Sequence, residues 1–129
     1  VSLYRTGLGR ARGLGSAKHG VGNFIAERVS SVALILLTIW LVWVALAVAR
    51  GGYAEARSIL ASPVNAAIAV LLIVVGLYHA MIGMRVIIED YIEKPLTKAA
   101  LLMLNAFVGW AAAAIATVSL LKIAFGAGA

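Results

Sequence analysis

Residues 64–91 read VNAAIAVLLIVVGLYHAMIGMRVIIEDY. From Val64 to Met84 there is no Asp, Glu, Lys or Arg. A hydrocarbon core of about 30 Å takes around twenty helical residues to cross, so this run is long enough to span it. Inside it stands a single histidine, His79, and beyond it an aspartate and a tyrosine, Asp90 and Tyr91. At about 100° per residue, Asp90 projects within roughly 20° of His79 if the helix continues that far. On that geometry a ligand-type residue inside the bilayer and an acid–phenol pair at its edge share one side. Gly76 and Gly83, at i−3 and i+4 from His79, leave a flat surface around the imidazole against which something bulky and rigid could lie.

Working outward, two further runs match the first in length and lack of charge, Val29 to Ala49 and Ala99 to Leu121. The 129 residues are 64 % hydrophobic and 12 % charged, far from the soluble norm of about 45–50 % apolar and about 25 % charged. The fold expected is an all-α membrane protein with three transmembrane helices. Residues 1–28 form a basic, glycine-rich arm and the start of the first helix, and 29–49 the first span. An outer loop, 50–63, leads to the second span, 64–84. A loop at 85–98 precedes the third span, 99–121, and a tail, 122–129. The first run is too long for a signal-peptide core and lacks a small-residue cleavage pattern, so it reads as a retained span. The missing initiator methionine suggests a processed or trimmed start.

The net charge of +6 raises nucleic acid as a partner, but the placement of the charges points to lipid instead. Eight basic residues (Arg5, Arg10, Arg12, Lys18, Arg28, Arg85, Lys94 and Lys98) fall on the side of the N-terminus and the 85–98 loop. Three (Arg50, Arg57 and Lys122) fall on the other. The positive-inside rule then makes the N-terminus and the 85–98 loop cytoplasmic, and the 50–63 loop and C-terminus external. His19, Arg28, Asp90 and Tyr91 share the cytoplasmic face. Without cysteine the chain can neither form a disulfide nor hold an iron–sulfur cluster by thiolates.

The arm reads either as a tail attracted to anionic headgroups or as a strap that orders against a soluble partner. Asn23 is the expected N-cap of the first helix, with Glu27 in its first turns. Arg28 either snorkels to phosphate or heads the stripe Ser31, Thr38, Ala45, which would face other helices. Trp40 and Trp43 read as packing or interfacial residues. Gly51 and Gly52 are expected to stop the first helix, and Ser62-Pro63 to start the second. In the third run Gly109 with Ala113, and Ala112 with Ala116, permit close helix approach, and Asn105 is expected to hydrogen-bond another helix.

A histidine within a span is a site hypothesis by default, with a hydrogen-bonded structural histidine as its alternative. Neutral imidazole is a good axial ligand for haem iron. No second ligand lies at matching depth in this chain, so the other would come from another subunit, and Arg28 could meet the propionates. Glu89, Asp90 and Glu93 read plainly as a solvated acidic turn neutralised by Arg85 and Lys94. The functional alternative is a phenol donating to a carbonyl oxygen with a neighbouring carboxylate assisting proton delivery, which suits an amphiphilic quinone at the membrane edge.

Three stretches in combination carry a resemblance: Gly20-Val21-x-x-Phe24-Ile25-x-x-Arg28; His79-Ala80-x-Ile82-Gly83-Met84; and Asp90-Tyr91 followed by Lys94-Pro95-Leu96. With this spacing the chain resembles the hydrophobic membrane-anchor subunits of bacterial succinate dehydrogenase, respiratory complex II, over nearly its whole length. The resemblance implies a heterotetramer in the bacterial inner membrane. Its members would be a flavoprotein carrying FAD, an iron–sulfur protein, and two anchors sharing haem b and a ubiquinone site. It implies that this chain has no catalysis of its own, that His79 is an axial haem ligand, and that Arg28 lies near the propionates. It also implies that Tyr91 bonds a quinone carbonyl and that Asp90 is its acidic neighbour. Some relatives carry a histidine where Gly22 stands, and His19 is the candidate substitute for that haem contact.

Other readings stay open on sequence. An anchor of quinol:fumarate reductase runs the same chemistry in reverse. A membrane scaffold would use His79 only to bond another helix, and a small proton-coupled transporter would need neither haem nor quinone.

Overall fold

A computed structural model describes residues 6–13 and 20–126. A short helix, α1 (Gly7–Ala11), is capped by Thr6, whose hydroxyl accepts from the Gly9 amide at 3.0 Å. Three long helices follow: α2 (Gly20–Ala61), α3 (Pro63–Tyr91) and α4 (Pro95–Ala124). Each is long and apolar enough to cross a membrane. Proline occupies the first turn of both α3 and α4, where its missing N–H lies among donors that have no helical partner anyway. Helix α3 is central, packing against both α2 and α4, which touch each other little.

The cross-links fix the directions. Ser30 of α2 meets His79 of α3, and further along α2 Trp40 meets Asn65, earlier in α3. Numbering rises on one helix as it falls on the other, so the two run antiparallel. Lys98 with Glu89 and Asn105 with Met81 give the same result for α3 and α4.

Helical structure extends beyond the expected spans at both ends of the bundle. The segment expected as an outer loop, 50–63, is mostly helical. Helix α2 breaks at Gly52 (φ 63, ψ −153) and resumes to Ala61. That backbone conformation is open essentially to glycine alone, while Ala54, Glu55, Ala56 and Leu60 beyond it are strong helix formers. At the other end α3 continues through Arg85 to Tyr91, so only residues 92–94 of the expected 85–98 loop connect helices.

Small residues and two isoleucines make up the interior. Among the described residues the buried apolar side chains are Ile59, Ala69, Ile88 and Ala113, and Gly109 is buried with them. Large apolar side chains such as Ile35, Leu36, Phe107 and Ile115 are more than half exposed. In water that surface would be heavily penalised; against acyl chains or another apolar helix it costs little. Met81 of α3 packs directly on Gly109 of α4, where an added Cβ would overlap the Sδ and Cγ of Met81. Asn105, one turn earlier, donates its side-chain amide to the Met81 carbonyl at 3.0 Å. The small-residue spacing and the asparagine thus act as their sequence pattern implies.

Candidate functional site

His79 lies on the side of α3 that faces α2, a little past the middle of the helix and half-buried. Its Nδ1 is 2.9 Å from the Ser30 hydroxyl. Ser30 is 6 % exposed and is the one buried polar side chain among the described residues. Its hydroxyl also lies 3.0 Å from the Glu27 carbonyl, onto which Ser31 donates as well, at 2.7 Å. A serine that bonds back to a carbonyl of the preceding turn keeps its side chain against its own helix, and here that places it opposite the imidazole.

The imidazole borders a groove of about 420 Å³ lined by Ser31, Leu34, Ile35 and Thr38. No partner is found for His79 Nε2 among the described residues. The two flanking glycines differ. A Cβ at Gly76 would come within ordinary contact of Leu34, at 3.9 Å, whereas one at Gly83 would meet nothing within 4 Å. The surface around the imidazole is therefore filled by α2 on the Gly76 side and open on the Gly83 side.

Arg28 is exposed on α2, with its guanidinium 5.0 Å from the centre of the Phe24 ring, a cation–π distance. It precedes Ser31 by one turn, on the flank of the groove. Because Ser30 is level with His79, Arg28 lies about 3 Å nearer the Tyr91 end of the bundle, by the helical rise.

The end of α3 is held in place. Arg85 pairs with Glu89 at 2.7 Å. Lys98 donates to the Glu89 carbonyl at 2.8 Å, a cation on one of the helix's unpaired final carbonyls. Buried Ile88 anchors the same turn. Asp90 and Tyr91 are exposed, Tyr91 to 79 %, and among the described residues neither has a hydrogen bond or ion pair. Because α3 is unbroken from His79 to Tyr91, Asp90 keeps its place within roughly 20° of His79, about 16 Å along the axis. Tyr91 is one residue further and so turns to about 120° from His79. The acid shares the histidine's side; the phenol does not. His19 lies outside the described residues.

Two participants were not legible from sequence. Ser30 sits beside Ser31, which belongs to the polar stripe, yet it is Ser30 that meets the histidine. Trp40, read as packing, donates its indole N–H to the Asn65 side-chain oxygen at 3.2 Å. A tryptophan and an asparagine within apolar runs were the available signal, but their pairing depends on helix register.

Residues 2–120 match the family described as succinate dehydrogenase/fumarate reductase transmembrane subunit. The chain is similar to the succinate dehydrogenase hydrophobic membrane anchor subunit of Paracoccus denitrificans, 35 % identical over 125 residues that cover 96 % of this chain and 95 % of the relative. It is also similar to the proteins of that name from Rickettsia bellii and Rickettsia conorii. Each is 34 % identical, over 70 % of this chain and 72 % of the relative. No solved structure matches. Three membrane-length helices, a family match over most of the sequence and a full-length relative agree: the chain is a multi-pass membrane protein and belongs to the succinate dehydrogenase/fumarate reductase transmembrane subunit family.

Proposed function

We propose that this chain is a membrane anchor of succinate:quinone oxidoreductase. In this reading it holds a flavoprotein and an iron–sulfur subunit on the cytoplasmic face of the bacterial inner membrane and pairs with a second anchor. FAD and the iron–sulfur clusters belong to the soluble partners. The basic N-terminal side and the 85–98 segment face the cytoplasm, as their excess of Lys and Arg suggests.

The observation that carries the reading is the setting of His79. One ring nitrogen is held across the helix interface by Ser30, and the imidazole borders a groove lined by Ser31, Thr38, Leu34 and Ile35. The residues present fit haem b: His79 would supply a nitrogen ligand to the iron, and Arg28, about one turn before Ser31 on α2, would supply a guanidinium for its carboxylates. When bound, the haem supplies a one-electron store within reach of the quinone. His79 holds the group in place. Arg28, whose charge is permanent, neutralises carboxylates near the membrane edge.

At the head of α3, Tyr91 donates a hydrogen bond to a ubiquinone carbonyl. As the quinone takes up two electrons and two protons to become quinol, Asp90 relays a proton from water. The exposure of Tyr91 and Asp90 and the anchoring of their turn by Lys98 and buried Ile88 support an edge where a partner subunit and a quinone head group meet. Relatives named for succinate dehydrogenase favour succinate oxidation over fumarate reduction.

The Ser30–His79 bond also suits a scaffold in which the histidine only ties two helices. A redox difference spectrum of the complex purified in mild detergent decides between them: a haem b band is expected, and it should vanish in His79→Ala. A band that survives this substitution rules out His79 as ligand, and the absence of haem from the native complex favours the scaffold. For the quinone, Tyr91→Phe should lower succinate-to-quinone activity at least tenfold while succinate oxidation by an artificial acceptor is unaltered. Equal quinone rates remove Tyr91 from the site.

A further inference from the structure

We infer that Ser30 is a positioning residue for the haem ligand, fixing the tautomer and donor strength of His79 through a hydrogen-bond relay that ends on the backbone of α2. The inference rests on His79 being the ligand, and it deepens that reading by adding a residue that no sequence motif singled out.

The number of protons available fixes the tautomer. A neutral imidazole carries one N–H, and a nitrogen that binds iron must be bare. His79 Nδ1 is engaged by Ser30 at 2.9 Å, so the ligating nitrogen is Nε2 and the ring proton resides on Nδ1. Nδ1–H then donates to the Ser30 oxygen. The hydroxyl proton is thereby released to the Glu27 carbonyl, 3.0 Å away, which can only accept. Every group in the chain from His79 to Ser30 to Glu27 has its donor and acceptor matched. The opposite arrangement, with Ser30 donating to Nδ1, puts a proton on Nε2 and leaves two oxygens facing each other at 3.0 Å without one between them.

Burial makes the relay selective. Ser30 is 6 % exposed, so water does not readily replace it, and a buried donor left without its acceptor is penalised. Outer partners of this kind orient a ligating histidine and raise its basicity. A more basic imidazole favours the ferric over the ferrous state, so Ser30 should hold the haem potential down. Asn105, by contrast, spends its amide on a main-chain carbonyl and has no such influence on the ring.

The test is a redox titration of the haem in the whole complex carrying Ser30→Ala, Ser30→Thr or Ser30→Cys. Ser30→Ala should retain haem but raise its potential, changing the ferric-to-ferrous ratio at a fixed applied potential by threefold to tenfold; tenfold corresponds to 59 mV for a one-electron couple. Ser30→Thr, which keeps the hydroxyl, should return the native value. If Ser30→Ala does not assemble, Ser30→Cys supplies the measurement, since its sulfur is nearly the same size but a weak acceptor. Full haem content with an unchanged or lowered potential in Ser30→Ala or Ser30→Cys overturns the role of Ser30 and leaves the ligand assignment standing. Persistence of the haem band in His79→Ala overturns the ligand assignment itself, so the two failures are told apart.

Discussion

Helix α3 has two seams of nearly equal groove size and opposite chemistry. Toward α4 runs a groove of about 390 Å³ lined by Leu77, Ala80, Met84, Leu104 and Val108, among others. There the helices are brought together by the absence of a side chain at Gly109. Toward α2 the groove is about 420 Å³ and presents Ser31, Thr38 and the imidazole, with side-chain hydrogen bonds at Ser30–His79 and Trp40–Asn65. Cavity size therefore does not locate the site; the donors and acceptors along the wall do. In a bilayer, apolar contact gives little preference between protein and lipid, so both seams carry hydrogen bonds; toward α4 they run from Asn105 and Lys98 to main-chain carbonyls of α3 beside a close shape fit at Gly109, and toward α2 they join side chain to side chain.

The sharpest way to break this comparison is to add the same methyl group to each seam. Gly109→Ala drives a Cβ into Met81 and should destabilise the α3–α4 pair by about 1–3 kcal/mol, the usual range for overpacking. Gly109→Ala combined with Met81→Ala should recover part of that loss. Gly76→Ala, which meets only Leu34 at 3.9 Å, should be neutral or stabilising by up to ~1 kcal/mol, since alanine is the better helix former. Denaturation of the purified complex in graded detergent mixtures measures all three, and equal effects at both glycines would erase the distinction between the seams.

A smaller effect sharpens the polar side. Trp40→Phe and Asn65→Leu, alone and together, should give a coupling of about 0.6 kcal/mol, the average for hydrogen bonds between membrane helices. A coupling of zero in that double-mutant cycle means that the 3.2 Å contact does not help align α2 with α3. Smallest of all should be Glu89→Gln. Its ion pair with Arg85 is solvent-exposed on both sides, and such i,i+4 pairs contribute about 0.3–0.5 kcal/mol. Raising the salt concentration should shrink even that difference, because exposed pairs are screened.

Much of the site could be named in advance, because charge and ligand chemistry stand out against an apolar background. His79, Arg28, Asp90 and Tyr91 are conspicuous for that reason. Their mutual arrangement could be read only along a single helix, where residue separation sets angle and depth: Asp90 aligns with His79 as expected, whereas Tyr91, expected on the same side, turns away. Between helices, residue separation sets no register. Counting back equally from the ends of a 50–63 loop would set His79 opposite Leu34, about one turn from its real partner Ser30. The 50–63 segment is no simple loop, since α2 continues into it and breaks at Gly52, so equal counting from its ends does not give the register.

The order of residues by itself determined that this is a three-span helical membrane protein, since uncharged runs of that length have no other stable form in lipid. It also marked the candidate site residues and the small residues, Gly109 among them, that admit close approach. Only the tertiary structure decided that Ser30 rather than Ser31 holds the histidine, that Trp40 finds Asn65, and that Gly109 receives Met81. Those pairings depend on how far one helix slides along another. That slide is set jointly by a glycine break, a proline start and the fit of side chains from distant parts of the chain, none of which any local stretch encodes.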